Sequence, residues 1–322
     1  MNPSQLLTQS ACVLALASTL LAGCSSPVAP VAVAAGPSSP FKSIQDLAVD
    51  SQDRIFVAEV EPGARPDAQA RIYLLAADGS ATPFAGGGEV NDEIPESGSL
   101  DEANLVGMRG ITIRDDVLYL TGLNCLRKID LKQAELSIQT HWGTCMSAQQ
   151  FQLVSAEGSG QPKPVIFNHH LTIGSDQTIY ADYADGEKRL FKLGSDKTEP
   201  EQLSYAYDLL GMAVNSKGEL LMSHPWPETG GPGYIEKRAP EGRPLRIHPG
   251  AGQLLTDSRD QIYILDGKNL VRYATTGHRK VIGELNHDGL TAGSVRLALN
   301  PAETTLYVTA GTAIYRFPLP KD

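Results

Sequence analysis

The chain has 322 residues, and its 37 acidic against 27 basic side chains give a formal net charge of −10. That balance excludes nucleic acid as a general partner and excludes adhesion to anionic lipid through surface charge. The longest apolar run near the amino terminus falls short of the roughly 20 residues a membrane-spanning helix needs.

That run is Ala11 to Ala22, "ACVLALASTLLA", which has the length of a signal-peptide core and is followed by small residues. It ends in Leu21-Ala22-Gly23-Cys24, which resembles the lipobox of bacterial lipoproteins, although Met1 to Ser10 carries no Lys or Arg. The resemblance implies diacylation of the Cys24 thiol, cleavage before it, and acylation of the new amino terminus. Ser25 rather than Asp after the cysteine implies an outer-membrane lipoprotein facing the periplasm, in a host with two membranes. The following "SSPVAPVAVAAGPSSP" is uncharged and rich in Pro, Ala and Ser, the composition of a flexible tether. The expected organisation is a signal peptide over 1–23, a lipidated Cys24 with its tether over 24–40, and one folded domain over 41–322. Acyl chains supply the membrane link without a spanning helix.

From Phe41 onward one pattern returns: a short apolar run, a polar turn, and a second run with an aromatic or aliphatic centre. It reads "DLAVDSQDRIFVAEV", "GITIRDDVLYLTG", "HLTIGSDQTIYADY", "GMAVNSKGELLMSH", "QLLTDSRDQIYILDG" and "RLALNPAETTLYVTAG". With Val49, Ile113, Ile173, Val214, Thr256 and Leu299 equivalent, the steps are 64, 60, 41, 42 and 43 residues. The last three define the period, and the first two contain insertions. A third strand follows in each unit, as in "RIYLL", "RLFKL" and "NLVRY". Helical periodicity of useful length is absent. A period near 42 with four short strands per unit predicts an all-β, six-bladed β-propeller of four-stranded antiparallel blades around a central channel.

Three insertions and two cysteines stand outside the repeat. "GGGEVNDEIPESGSLDEANL" carries Glu89, Asp92, Glu93, Glu96, Asp101 and Glu102. It lacks the alternating ligands of an EF-hand, so a solvated acidic loop is expected over a calcium site. "HPWPETGGPGY" places Trp226 between two prolines, as a partner anchor or as a ring folded over its blade. Met146 to Pro164 is the third insertion. Cys125 and Cys145 flank a strand–turn–strand run, so a disulfide across a hairpin is expected, with two buried free thiols as the alternative.

The stretch "PFAGGGEVNDEIPESGSLDEANLVGMRGITIRDDVLYLTGLNCLRKIDL" carries a Gly-rich loop, "EANL", "GITI" and "RKID" in the order of NHL repeats. The chain from about Ile44 to Phe317 resembles NHL repeats and the related regucalcin-like and gluconolactonase-like six-bladed propellers. The resemblance specifies architecture and leaves function open.

In a propeller the residues just before each inner strand lie near one mouth of the channel. Here they are Gln45-Asp46, Arg109-Gly110, His169-His170, Leu210-Gly211, Gly252-Gln253 and Val295-Arg296, with Asp208 close by. His169, His170, Asp46 and Asp208 are the candidates for acid–base chemistry, and Gln45, Arg109, Gln253 and Arg296 for ligand binding. The bland alternative is that these groups pair with one another, Asp46 with Arg296, and plug the hole. Adjacent strand residues point to opposite faces, so the two histidines do not readily share one metal. His141, His224, His248, His278 and His287 are expected after or between strands, away from this rim. The resembling lactonases imply a divalent cation held by Glu, Asn, Asn and Asp. The matching positions here are Gln45, Met108 or Arg109, His169 and Leu210, so no cofactor is expected and lactonase activity through a metal is disfavoured. The expected function is a lipid-anchored binding module for a small molecule, peptide or envelope protein. A hydrolase or lyase at the channel mouth is the alternative.

Overall fold

Four of the six repeats turn where one side chain substitutes for backbone partners. Asp50 Oδ1 accepts from Gln52 N (3.0 Å) and Arg54 N (2.9 Å), and Asn215 Oδ1 from Lys217 N (3.1 Å) and Glu219 N (2.9 Å). Asp257 does the same for Arg259 and Gln261, and Asn300 for Thr304 and Thr305. These turns are why Asp or Asn stands directly after the first, fourth, fifth and sixth inner strands. The strand pair on either side of each turn then closes as an antiparallel hairpin.

The computed structural model describes residues 29–34, 39–60, 68–90, 92–156, 164–184, 188–204, 208–225, 233–239, 243–287 and 295–320. An outlying strand, β1 (Val31–Ala34), comes first. The first blade is β2 (Ile44–Val49), β3 (Ile55–Val60), β4 (Ala70–Leu75) and β5 (Ala81–Ala85). A short β6 (Ser97–Gly98) precedes the second, β7 (Ile111–Arg114), β8 (Val117–Gly122), β9 (Cys125–Asp130) and β10 (Ile138–Gly143). Helix α1 (Ala148–Ser155) leads to the third, β11 (Ile166–Ile173), β12 (Ile179–Ala184), β13 (Lys188–Leu193) and β14 (Glu201–Ser204). The fourth is β15 (Gly211–Val214), β16 (Leu220–His224), β17 (Tyr234–Arg238) and β18 (Leu245–Pro249). The fifth is β19 (Leu254–Thr256), β20 (Ile262–Asp266), β21 (Asn269–Tyr273) and β22 (Arg279–Glu284). The sixth holds β23 (Leu297–Leu299), β24 (Thr305–Ala310) and β25 (Ala313–Pro318).

Within every blade the strands follow one another outward, and the first strand of each blade meets those of its two neighbours around the axis. The chain is therefore an all-β, six-bladed propeller. The ring closes through β1, which pairs antiparallel with β25 as the outer strand of the sixth blade. This corrects the expected domain limits, because part of the 24–40 tether is a strand of the fold. The bare outer edge of β25 supplies partners for those backbone groups, whatever the composition of the segment. Cys24 and the signal segment lie outside the described residues, as does Trp226.

Both insertions near the second blade have structure of their own. β6 pairs with β10 and makes that blade five-stranded. A Cβ at Gly87 would collide with the Asp101 carbonyl, so the Gly-rich loop can fold back on itself only with glycine there. α1 is started by a capping box: Ser147 Oγ accepts from Gln150 N, and Gln150 Oε1 accepts from Ser147 N. A disulfide joins Cys125 to Cys145 with Cα atoms 4.9 Å apart. Cys125 sits opposite Gly143 at the open end of the hairpin, and Cys145 lies just beyond the strand.

Each junction between blades buries an apolar cluster, for example Phe56, Ile72, Leu118 and Ile129 between the first and second. At the far rim the junctions are also clamped. Each hairpin turn holds a residue at positive φ in an equivalent place, Asp53, Asp116, Gln177, Gly218, Asp260 and Glu303, and the second turn holds Asp115 there as well. Asp116 accepts from Ser51 N (2.9 Å) and Oγ (2.7 Å), and Asp260 from Ser216 N (2.7 Å) and Oγ (2.9 Å). Glu303 holds Ser258 in the same way, Gln177 donates to Asp115, and Asp53 accepts from Asn300. Gly218, at the start of the fourth blade, has no side chain with which to reach the third.

Candidate functional site

The inner strands enter at the opposite mouth, and two of them are bulged there. Gln45 is an extra residue between Ile44 and Asp46 of β2. In β11, Phe167 faces Tyr183 and Leu171 faces Ala181, so Asn168, His169 and His170 lie opposite Asp182 alone. Bulges re-aim side chains at sites of function, and here they turn the two histidines apart. His169 is half-buried and faces the channel. His170 is buried, and its Nε2 reaches the Leu209 carbonyl of the next blade (3.2 Å).

A buried polar layer crosses the mouth behind His169. Asp46 Oδ1 accepts from Leu47 N and Oδ2 from Ile111 N, both at 2.9 Å, which ties the first blade to the second. Asp182 Oδ1 accepts from His170 N (2.9 Å) and so fixes the bulge. Arg296 is 3 % exposed; its backbone N–H donates to Thr309 Oγ1 (2.8 Å) and its Nη1 to the Val295 carbonyl (2.8 Å). Burial pushes Asp46 and Asp182 up to about 7, against the opposing pull of the Arg296 charge. Burial, and then the same arginine, pushes His169 and His170 down to about 3. Gln45 Nε2 donates to His169 Nδ1 (2.5 Å), and the ring also bonds the Arg109 backbone carbonyl. The imidazole is thus a fixed neutral group, and a carboxyl near 7 is the better proton carrier at neutral pH.

Two cavities meet at His169. The channel, of about 450 Å³, is lined at this end by Asp46, His169 and Gln253 and runs to Ser175, Ser216 and Ser258 at the far rim. A mouth pocket of about 260 Å³ is lined by Lys42, Ser43, Gln45, His169, Arg296 and Thr312, among others. The mouth pocket has two cations and no carboxylate in its lining. The half-buried Arg109 adds a third positive charge close to His169.

The structure therefore brings together Gln45, Asp46, Arg109, His169, His170, Gln253 and Arg296. Asp208 is exposed and lines neither cavity; its carbonyl accepts from His224 Nδ1 (3.0 Å). His141, His224 and His248 lie within strands rather than between them, against Tyr119, Tyr234 and Tyr273. No residue of the acidic Gly86–Asn104 loop lines either cavity. Asp182 and Lys42 were not legible as site residues. Asp182 has a signal in the repeat: its counterparts at the same strand position are Ala58, Thr121, Ser223, Leu265 and Thr309, none of them ionisable.

The mouth does not suit a hard divalent cation. Both Asp46 oxygens already serve backbone amides, and Arg109, His169 and Arg296 around it supply no oxygen ligand. Among the described residues no group of three or more His, Cys, Asp or Glu side chains is placed to hold a metal ion.

No protein-family model matches the chain, and no curated protein matches its sequence. Solved structures match its fold. A gluconolactonase from Xanthomonas campestris superposes with a TM-score of 0.55 at 15% identity, covering 88% of each chain. A streptogramin B lyase gives 0.55 at 9% identity, covering 89% of this chain and 96% of its own. A calcium-binding regucalcin from Agrobacterium tumefaciens gives 0.57 at 10% identity, covering 90% and 94%. The protein has the six-bladed propeller fold of the gluconolactonases and regucalcins. At these identities the likeness establishes that fold and nothing about chemistry.

Proposed function

We propose that the protein is an enzyme of hydrolase or lyase type that acts on a small anionic molecule at this mouth. The observation that carries the reading is His169, which borders both a cation-lined pocket with Arg296 and a channel with Asp46. Solved propellers of the same fold include a lactonase and a lyase, which favours an enzyme over a pure binding module. Arg296, Arg109 and Lys42 hold the anionic group. Gln45 orients the substrate through its free amide oxygen, and the neutral His169 ring, held by Gln45 and the Arg109 carbonyl, forms the wall the two cavities share. Asp46, with a carboxyl near 7, gives or takes the proton at the reacting atom. No step uses a metal, because the donor set does not fit one.

A binding module is the second reading, and one observation favours it: His169 already uses both ring nitrogens within the protein. We further infer that Cys24 is lipidated and that the domain works in the cell envelope, facing the periplasm. The Cys125–Cys145 disulfide is consistent with an oxidising compartment.

The test is turnover of a panel of sugar-acid lactones, uronates and sugar phosphates, followed by NMR, for the wild-type protein and Asp46→Asn. Turnover lost by about a hundredfold or more in the variant supports the proposal. Turnover unchanged in Asp46→Asn, or saturable binding with no turnover of any member, removes the enzyme reading.

A further inference from the structure

The junction between the third and fourth blades differs from the other five. Its turn residue is Gly218, so the far-rim clamp found at the other junctions is missing. Its apolar cluster is also the smallest of the six inter-blade clusters among the described residues, with Tyr180, Leu190, Met212, Leu220 and Met222 buried. Two of those five are methionines, whose side chains adapt to a changed neighbour.

A cavity of about 330 Å³ opens at this same junction, away from the mouth. Leu203 and Leu220 form its apolar part with the Tyr180 ring, and Lys192, Arg238 and Arg243 supply three cations. Its lining contains no carboxylate, in a chain with net charge −10. Nearby acids occupy part of this charge: Glu201 binds Lys192 at 2.8 Å, and Glu236 lies 3.6 Å from Arg238. Arg238 Nε is nevertheless buried without a hydrogen-bond partner, and Arg243 is exposed at the edge. Leu245, one of three exposed large apolar residues among those described, follows Pro244 at the same edge. Apolar walls with convergent cations are the chemistry of a site for an anionic head on an apolar body.

We propose that the cleft between the third and fourth blades binds a small amphiphilic anion, with its acidic head on Arg238 and Arg243 and its apolar body against Leu203, Leu220 and Tyr180. This site is separate from the channel mouth and stands without the enzyme reading. The ligand is either a free carboxylate or the head of a membrane lipid, and the two sources present the same chemistry.

The experiment follows methyl NMR signals of Leu203 and Leu220 during titration of the full chain carrying Cys24→Ala, which lacks the acyl anchor. Octanoate is the probe, n-octanol its neutral counterpart, and vesicles containing phosphatidylglycerol the lipid source. Saturable shifts of both leucines with octanoate are expected, weakened about tenfold or more by Arg238→Met, by Arg243→Met and by the change to octanol. Arg243 is exposed, so its variant remains informative if Arg238→Met does not fold. Vesicle binding displaced by octanoate assigns the ligand to lipid, and octanoate binding without vesicle binding assigns it to a free anion; both support the site. Absent leucine shifts, equal binding of octanol, or full affinity in both arginine variants would overturn it.

Discussion

Gly218→Asp should restore the missing clamp between the third and fourth blades. Asp53, Asp116 and Asp260 occupy the equivalent position at φ between 57° and 60°, so an aspartate tolerates this backbone where most residues do not. A Cβ at Gly218 meets nothing within 4 Å. Ser175 is the counterpart of Ser51 and Ser216, which give both N–H and Oγ–H to the carboxylate of the next blade. Such a pair of exposed bonds contributes about 1 kcal/mol after competition from water. Loss of glycine's freedom in the unfolded chain adds about 0.7 kcal/mol, and the left-handed backbone removes about as much. The net gain is about 1 kcal/mol, or about 2 °C in Tm for a domain of this size. The assay is thermal unfolding at pH 7 and at pH 3, with Asp260→Gly as the converse. Ser51 holds the Asp116 carboxyl below its ordinary value, so a clamp of this kind stabilises above that value and is lost as pH falls below about 4. A variant no more stable than wild type at pH 7, or Asp260→Gly unchanged in Tm, would refute the reasoning.

Asp182 is held near 7 in the fold and near 4 in the unfolded chain, so its contribution is present below the lower value and lost as pH rises through the upper. Asp182→Thr, the residue type at this position in two other blades, should therefore gain on wild type by about 2 kcal/mol between pH 5 and pH 8; a pH-independent difference would contradict it. Reduction of Cys125–Cys145, or their replacement by alanine, should lower stability by about 3 kcal/mol in denaturant titration. Non-reducing peptide mapping should recover the two as one linked peptide. Cys24→Ala should move the protein from the membrane to the soluble fraction, and unchanged fractionation would refute lipidation.

The blades were legible because their turns have chemistry. An Asp or Asn at the first turn position replaces two backbone partners, and that requirement recurs at a fixed period with β-branched and aromatic residues on either side. β1 was not legible, because its pairing depends on the edge of β25, nearly three hundred residues away in sequence. α1 was missed although Ser147 and Gln150 stand at capping-box spacing, since eight residues give too little periodicity to read. At the mouth the positions were legible, and the protonation states were not. Position in the repeat marks the histidines as bases, yet burial beside Arg296 leaves them neutral, and burial likewise raises Asp46 and Asp182. Those shifts depend on depth and on a neighbour more than a hundred residues away in the chain, which strand alternation does not report.

The most direct measurement is the ¹³C NMR titration of the Asp46 carboxyl in the intact protein, assigned with Asp46→Asn. A midpoint near 7 is predicted, leaving a transferable proton at the channel mouth at neutral pH. A midpoint in the ordinary carboxylate range, near 4, would leave Asp46 fully ionised and contradict its role as the proton carrier.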